Sequence, residues 1–105
     1  MTRRVRILAQ ASEEAVEAVA WYESEHAGLG RDFQAALDAA LDLLEGEIVP
    51  LTTMPGLAGR RGAKKLMLRR FPYNIVVVER PNEYLVIAIA HQSRRPGYWR
   101  GRVRT

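Results

Sequence analysis

Residues 91–102, HQSRRPGYWRGR, combine four arginines, two aromatics and a histidine with no acid, directly after the apolar run YLVIAIA. Those residue types suit three roles: a catalytic tail that handles RNA, a docking surface for another macromolecule, or a solvated chain end. Up to Arg104, five arginines (Arg94, Arg95, Arg100, Arg102 and Arg104) fall within eleven residues without one carboxylate. A planar guanidinium grips carboxylates and phosphates in bidentate fashion, so this run fits a surface for such groups better than a merely solvated end. Trp99 sits among them, and tryptophan and arginine are residue types favoured at binding hot spots. Trp21 reads as a packing residue. His91, closing an apolar run, reads as a hydrogen-bonded structural histidine rather than a general base.

The rest of the composition narrows the chemistry. There is no cysteine, and the only imidazoles are His26 and His91, which excludes disulfides, thiolate nucleophiles and a structural zinc of the usual ligand set. No metal or other cofactor is expected. From Glu13 to Glu47 there are ten acids against one base, Arg31; elsewhere fifteen bases face two acids, Glu79 and Glu83. So complete a separation points to a basic working surface and an anionic partner. No apolar run approaches the roughly 18 to 20 residues of a membrane span, and the basic start MTRRVRILAQ lacks the apolar length of a secretory signal. The expectation is a cytoplasmic protein with no membrane partner, folded as one domain over residues 1–105.

These side chains must be positioned by a small set of elements. VRIL, Val5 to Leu8, reads as a first strand. Ser12 offers an N-cap, with Glu13 and Glu14 in the first turn of a helix where the dipole favours carboxylates. Ala15, Ala18, Val19 and Tyr22 follow helical spacing, HAGLGR breaks it, and Phe33, Ala36, Leu37, Ala40, Leu41 and Leu44 resume it up to Gly46, a suitable left-handed terminator. The stretch IVPLTTMPGLAGRRGAKK reads as a loop. Three strands follow, KLMLRRF, YNIVVVER and YLVIAIAH, with a bend at Pro72 and a hairpin across PNE. The result is an α+β domain of order β-α-α-β-β-β: an antiparallel sheet with an N-terminal strand, a two-helix hairpin on one face and a C-terminal three-strand meander. Both parities of the last two strands are apolar, with Ile75 and Val77 opposite Val76 and Val78, and Val86 and Ala88 opposite Leu85, Ile87 and Ile89. A helical hairpin covers only one face, so the region of Tyr98 and Trp99 is expected to cover part of the other.

This order of elements, with WYESEHAGLGRDF, LRRFPYNIVV and IAIAHQSRRPGYW, resembles the RelE/ParE superfamily of toxins from bacterial type II toxin–antitoxin systems over nearly the whole chain. The resemblance implies a cognate antitoxin whose C-terminal segment lays apolar and acidic side chains across the basic face. It implies one of two targets: RelE-like members cut messenger RNA on the ribosome, whereas ParE-like members inhibit DNA gyrase without known catalytic chemistry.

Cleavage of RNA through its 2′-hydroxyl needs a base, cations for the developing phosphate charge and an acid for the leaving oxygen. RelE-like enzymes supply these from a K-x-K pair before the bend, an arginine after the bend tyrosine, an arginine past the last strand and a tyrosine beyond it. Laid on this sequence, that pattern keeps Lys65 and Tyr98 but meets Met67, Asn74 and Gln92 at its other three positions. Each lost cation would remove about 2.7 to 4 kcal/mol of transition-state stabilisation if it behaved like a lost oxyanion donor. The reading is therefore a ParE-like inhibitor of gyrase with no assigned catalytic residue. Lys65, Arg69, Arg70, Arg94, Arg95, Trp99 and Arg100 are its candidates for contact with target or antitoxin, and Tyr98 is an anchor for the tail. The alternative is a ribosome-dependent mRNA endonuclease in which Arg69, sharing strand parity with Lys65, and Arg94 compensate, with Tyr98 as the acid.

Overall fold

The computed structural model describes residues 3–47, 51–95 and 97–104. The chain runs β1 (Arg4–Ile7), α1 (Ala9–Glu25), α2 (Leu29–Glu45), β2 (Thr52–Thr53), α3 (Gly56–Arg60), β3 (Ala63–Met67), β4 (Tyr73–Glu79) and β5 (Glu83–His91), and closes on a 3₁₀ turn, Arg100–Arg104. The five strands form one sheet in the order β1-β5-β4-β3-β2. Neighbours are antiparallel from β2 to β5, but β1 lies parallel to β5, with Arg4 opposite Glu83 and Ile7 opposite Val86. The sheet is therefore mixed, not wholly antiparallel. The expected loop contains both β2 and α3, and β2 adds one reversal to the meander, so β5 arrives parallel to β1. Positions 48–50 of that stretch lie outside the described residues. Among the described residues, no helix is long and apolar enough to cross a membrane.

Helix α1 begins three residues before Ser12. Leu8 is its N-cap without a side-chain hydrogen bond, and the Ser12 N–H already donates to the Leu8 carbonyl at 3.0 Å. Leu8 is itself buried, so packing of the residue at the helix entrance outweighs the hydroxyl cap that Ser12 offers. The apolar stripe starts correspondingly earlier, with Ala11, Ala18 and Tyr22 buried and Ala15 and Val19 packed against them. On α2, Phe33, Leu37, Ala40 and Leu44 are buried with Ala36 and Leu41 beside them, as the spacing requires. Gly46 is right-handed, and the left-handed residue at this end is Glu47, at φ 58°.

The hairpin turn has its own chemistry. The Glu23 carboxylate accepts the N–H groups of Gly28 at 2.9 Å and Gly30 at 3.0 Å, satisfying amides that a helix start leaves free. Those two bonds hold its carboxyl below the usual range. At Gly30 a Cβ would lie 2.6 Å from the Val19 carbonyl oxygen, so the helices meet there at backbone distance. Gly30→Ala is expected to lower stability by about 1 to 3 kcal/mol through overpacking, read as a lower urea midpoint at unchanged slope.

Two apolar clusters sandwich the sheet. Phe33, Tyr22, Phe71, Ile75, Val77, Val86 and Ile89 belong to the helix side. Val76, Val78, Leu85, Ile87, Ala88, Trp99 and Val103 belong to the other. The tail thus covers the second face, as the two apolar parities of β4 and β5 demand. Strict alternation fails at one place. The register jumps between Val76, opposite Ala88, and Val77, opposite Val86, leaving Ile87 as the extra residue of a bulge. Such a bulge re-aims every residue beyond it: Ala88 joins Leu85 and Ile87, and Ile89 joins Val86 on the helix side. That differs from the simple alternation, which pairs Val86 with Ala88.

Candidate functional site

β3 stops at Met67, two residues before the first arginine of the bend. The chain then turns through Leu68–Pro72, where the Leu68 N–H donates to the Tyr73 carbonyl at 2.9 Å and Arg70 takes a left-handed φ of 74°. Arg69 therefore does not share strand parity with Lys65, as an uninterrupted KLMLRRF strand requires. The bend sends it to the other side of the sheet.

Lys65 lies on the face covered by the tail, opposite Val76, and Met67 lies opposite Asn74. Together with His91, Gln92, Arg94, Arg95 and Tyr98, these residues line an open cleft of about 300 Å³ between the end of the sheet and the C-terminal segment. All five positions of the cleavage pattern (Lys65, Met67, Asn74, Gln92 and Tyr98) meet in this one cleft, and of the four that the pattern gives to cations only Lys65 is charged. Two of the neutral groups face each other, with the Gln92 amide nitrogen 3.5 Å from Asn74 Oδ1. Lys65 and Arg95 have no ion pair or side-chain hydrogen bond among the described residues.

Tyr98 is anchored. Its hydroxyl donates to Glu14 Oε2 at 2.6 Å, and burial, with that carboxylate beside it, pushes the phenol well above its ordinary pKa. The Arg94 guanidinium lies 3.9 Å from the centre of the Tyr98 ring, within the range of a cation–π contact, and 4.0 Å from Glu14 Oε2. His91 also has a local structural environment: Nδ1 takes the Ser93 N–H at 3.0 Å, and its ring meets Tyr73 edge-on at 5.0 Å.

The other candidates lie elsewhere. Arg69 and Arg70 border an apolar groove of about 580 Å³ between α2 and the end of β3, floored by Ala36, Ala40, Leu66 and Leu68; Arg70 reaches Asp32 at 3.7 Å. Arg100 lines a third cleft with Pro55, Leu57 and Val103. Trp99 is only 3% exposed and belongs to the second core cluster, so its expected place on the contact surface is corrected: the indole is part of the lid. Trp21, expected to pack, is 55% exposed, because it stands one residue, about 100° of helix, off the stripe that ends at Tyr22.

Glu14 and Arg102 are the residues that sequence reasoning missed. Glu14 was expected to serve the helix dipole, but with α1 beginning at Ala9 it lies in the second turn, three residues after Ala11 and four before Ala18. Its position on the buried stripe was the available signal.

No family model and no curated protein matches this sequence. Among solved structures, a chain of one described as "Chromosomal ParDE TA system from P. aeruginosa" superposes with a TM-score of 0.70, at 12% identity, over 86% of this chain and 96% of that one. The fold is RelE/ParE-like. The strand, two-helix hairpin and following strands of this chain are shared with that structure at the level of the fold.

Proposed function

We propose that this chain is the toxin of a type II toxin–antitoxin module, a cytoplasmic growth inhibitor neutralised by a cognate antitoxin, and that it acts by binding DNA gyrase rather than by cutting RNA. The observation that carries this reading is the cleft. Met67, Asn74 and Gln92 stand at the positions that the RelE-like pattern gives to cations, within the same cavity as Lys65 and Tyr98. The Tyr98 hydroxyl already donates its hydrogen bond to the Glu14 carboxylate, which suits an anchor better than a leaving-group acid. The groove beside α2 supports the antitoxin part: it is apolar within and edged by Arg69 and Arg70, the complement of a segment with apolar anchors and acidic flanks.

The deciding experiment pairs primer extension on transcripts after induction with a gyrase supercoiling assay on the purified protein. Loss of supercoiling with intact transcripts is the expected result; ribosome-dependent cuts would overturn it. The nuclease reading retains one favourable observation, that Lys65, Arg94 and Tyr98 line one cleft, although Arg69 is absent from it.

Tyr98→Phe separates the two. The ring and its packing survive while the hydroxyl bond to Glu14 is lost, so the variant should lose about 1.5 to 3 kcal/mol, as for a hydrogen bond to a charged group, and still arrest growth below its melting temperature. A folded Tyr98→Phe protein that leaves intact the transcripts the unmodified chain cuts on the ribosome would support catalysis instead.

A further inference from the structure

β5 is nine residues long, but β1 pairs with it only from Glu83 to Val86, and the Leu8 N–H takes the Val86 carbonyl as the ladder ends. Beyond that point the outer edge of β5 exposes backbone groups that need partners. Two side chains supply them. Glu14 Oε1 accepts the Ile89 N–H at 3.1 Å, and Arg102 donates to the Ile87 carbonyl at 3.0 Å. Arg102 also donates to Glu14 Oε1 at 2.9 Å, and Tyr98 donates to its other oxygen. The Glu14 side chain is 13% exposed, on the stripe of α1 that faces the core, where an unpaired carboxylate would be costly.

Closing an edge does not require the fourth partner. Arg94 stands 4.0 Å from Glu14 with its side chain 54% exposed, lies against the Tyr98 ring, and borders both the cleft with Lys65 and a second one with Trp21 and Tyr73. We propose that Glu14 is the positioning residue of the C-terminal arm: its carboxylate, through Tyr98 and directly, holds the Arg94 guanidinium in one orientation as a preset fork for an anionic group of the target. A long flexible side chain fixed before binding loses less entropy on association than a free one. This rests on the reading above in which Arg94 contacts gyrase.

The test is a double-mutant cycle with Glu14→Gln, Arg94→Ala and the two combined, each checked for folding by circular dichroism and assayed below its melting temperature for inhibition of supercoiling by purified gyrase. Glu14→Gln should raise the concentration for half inhibition by about tenfold, within the range of couplings between contacting residues, and should add nothing in the Arg94→Ala background. A role confined to stability predicts losses that multiply, and that result overturns the proposal. Full inhibition by folded Glu14→Gln, with Arg94→Ala inactive, overturns it while leaving the gyrase reading intact. Full inhibition by Arg94→Ala removes both that contact and the proposal. If Glu14→Gln does not fold, Glu14→Asp takes its place in the cycle, since it keeps the charge beside β5 but draws the carboxylate back from Arg94.

Discussion

With Arg94 and Arg95 both replaced by alanine, the protein should melt within a few degrees of the unmodified chain and lose the growth inhibition proposed for it. Arg95 is exposed and without a side-chain partner among the described residues. Removing it leaves nothing buried and unpaired, and substitutions of that kind usually change stability by less than about 0.5 kcal/mol. Arg94 contributes a cation–π contact and a long ion pair, but Glu14 keeps three nearer donors, Tyr98, Arg102 and the Ile89 amide, so its carboxylate is not stranded. The effect on a target should be far larger. Charged groups desolvated in an interface cost about 2 to 5 kcal/mol or more when truncated, and two adjacent guanidiniums on one rim would take inhibition below detection. Growth after induction, supercoiling inhibition and thermal melting together check the expectation. A double variant that still arrests growth would remove the tail from the target surface.

Trp99→Ala should do the reverse and unfold the C-terminal segment, and with it much of the molecule. The indole is packed with Val76, Val78, Leu85, Ile87 and Val103 over the sheet face opposite α1 and α2. Truncating a buried tryptophan typically costs about 3 to 5 kcal/mol, a large share of the roughly 5 to 15 kcal/mol that holds a small domain together. At about 4 to 8 °C per kcal/mol for a chain near this size, the melting temperature should fall by about 12 °C at least. The growth inhibition proposed for the chain would disappear together with the fold, whereas the arginine pair should lose that inhibition alone. Circular dichroism melts of the two variants distinguish lid from contact surface, and a Trp99→Ala protein with an unchanged melt would return the indole to the surface.

The distinction between Trp99 and its arginine neighbours shows how far local pattern reaches. Helical spacing from Ala15 to Tyr22 and from Phe33 to Leu44 determined which faces of α1 and α2 are buried, because periodicity is a property of neighbouring residues. The two apolar parities of Val76 and Val77 required a cover on each side of the sheet, so a lid built from the tail was legible as well. The residues that could do chemistry were legible by type, and the five positions of the cleavage pattern do share one cleft.

What the sequence left undetermined depends on contacts between distant segments. The bulge at Ile87 arises from pairing with β4, and it alone turns Ile89 to the helix side. The end of β3 at Met67 follows from the turn that closes between Leu68 and Tyr73, and this takes Arg69 away from Lys65. Glu14 acquires its partners only when β5 outruns β1 and residues 98–102 return to the exposed edge. A side chain's type and spacing tell whether it can be buried or charged. Which group meets it there is settled by strand register and by the path of the chain, and both are selected by the free energy of the whole packed sheet rather than by any one segment.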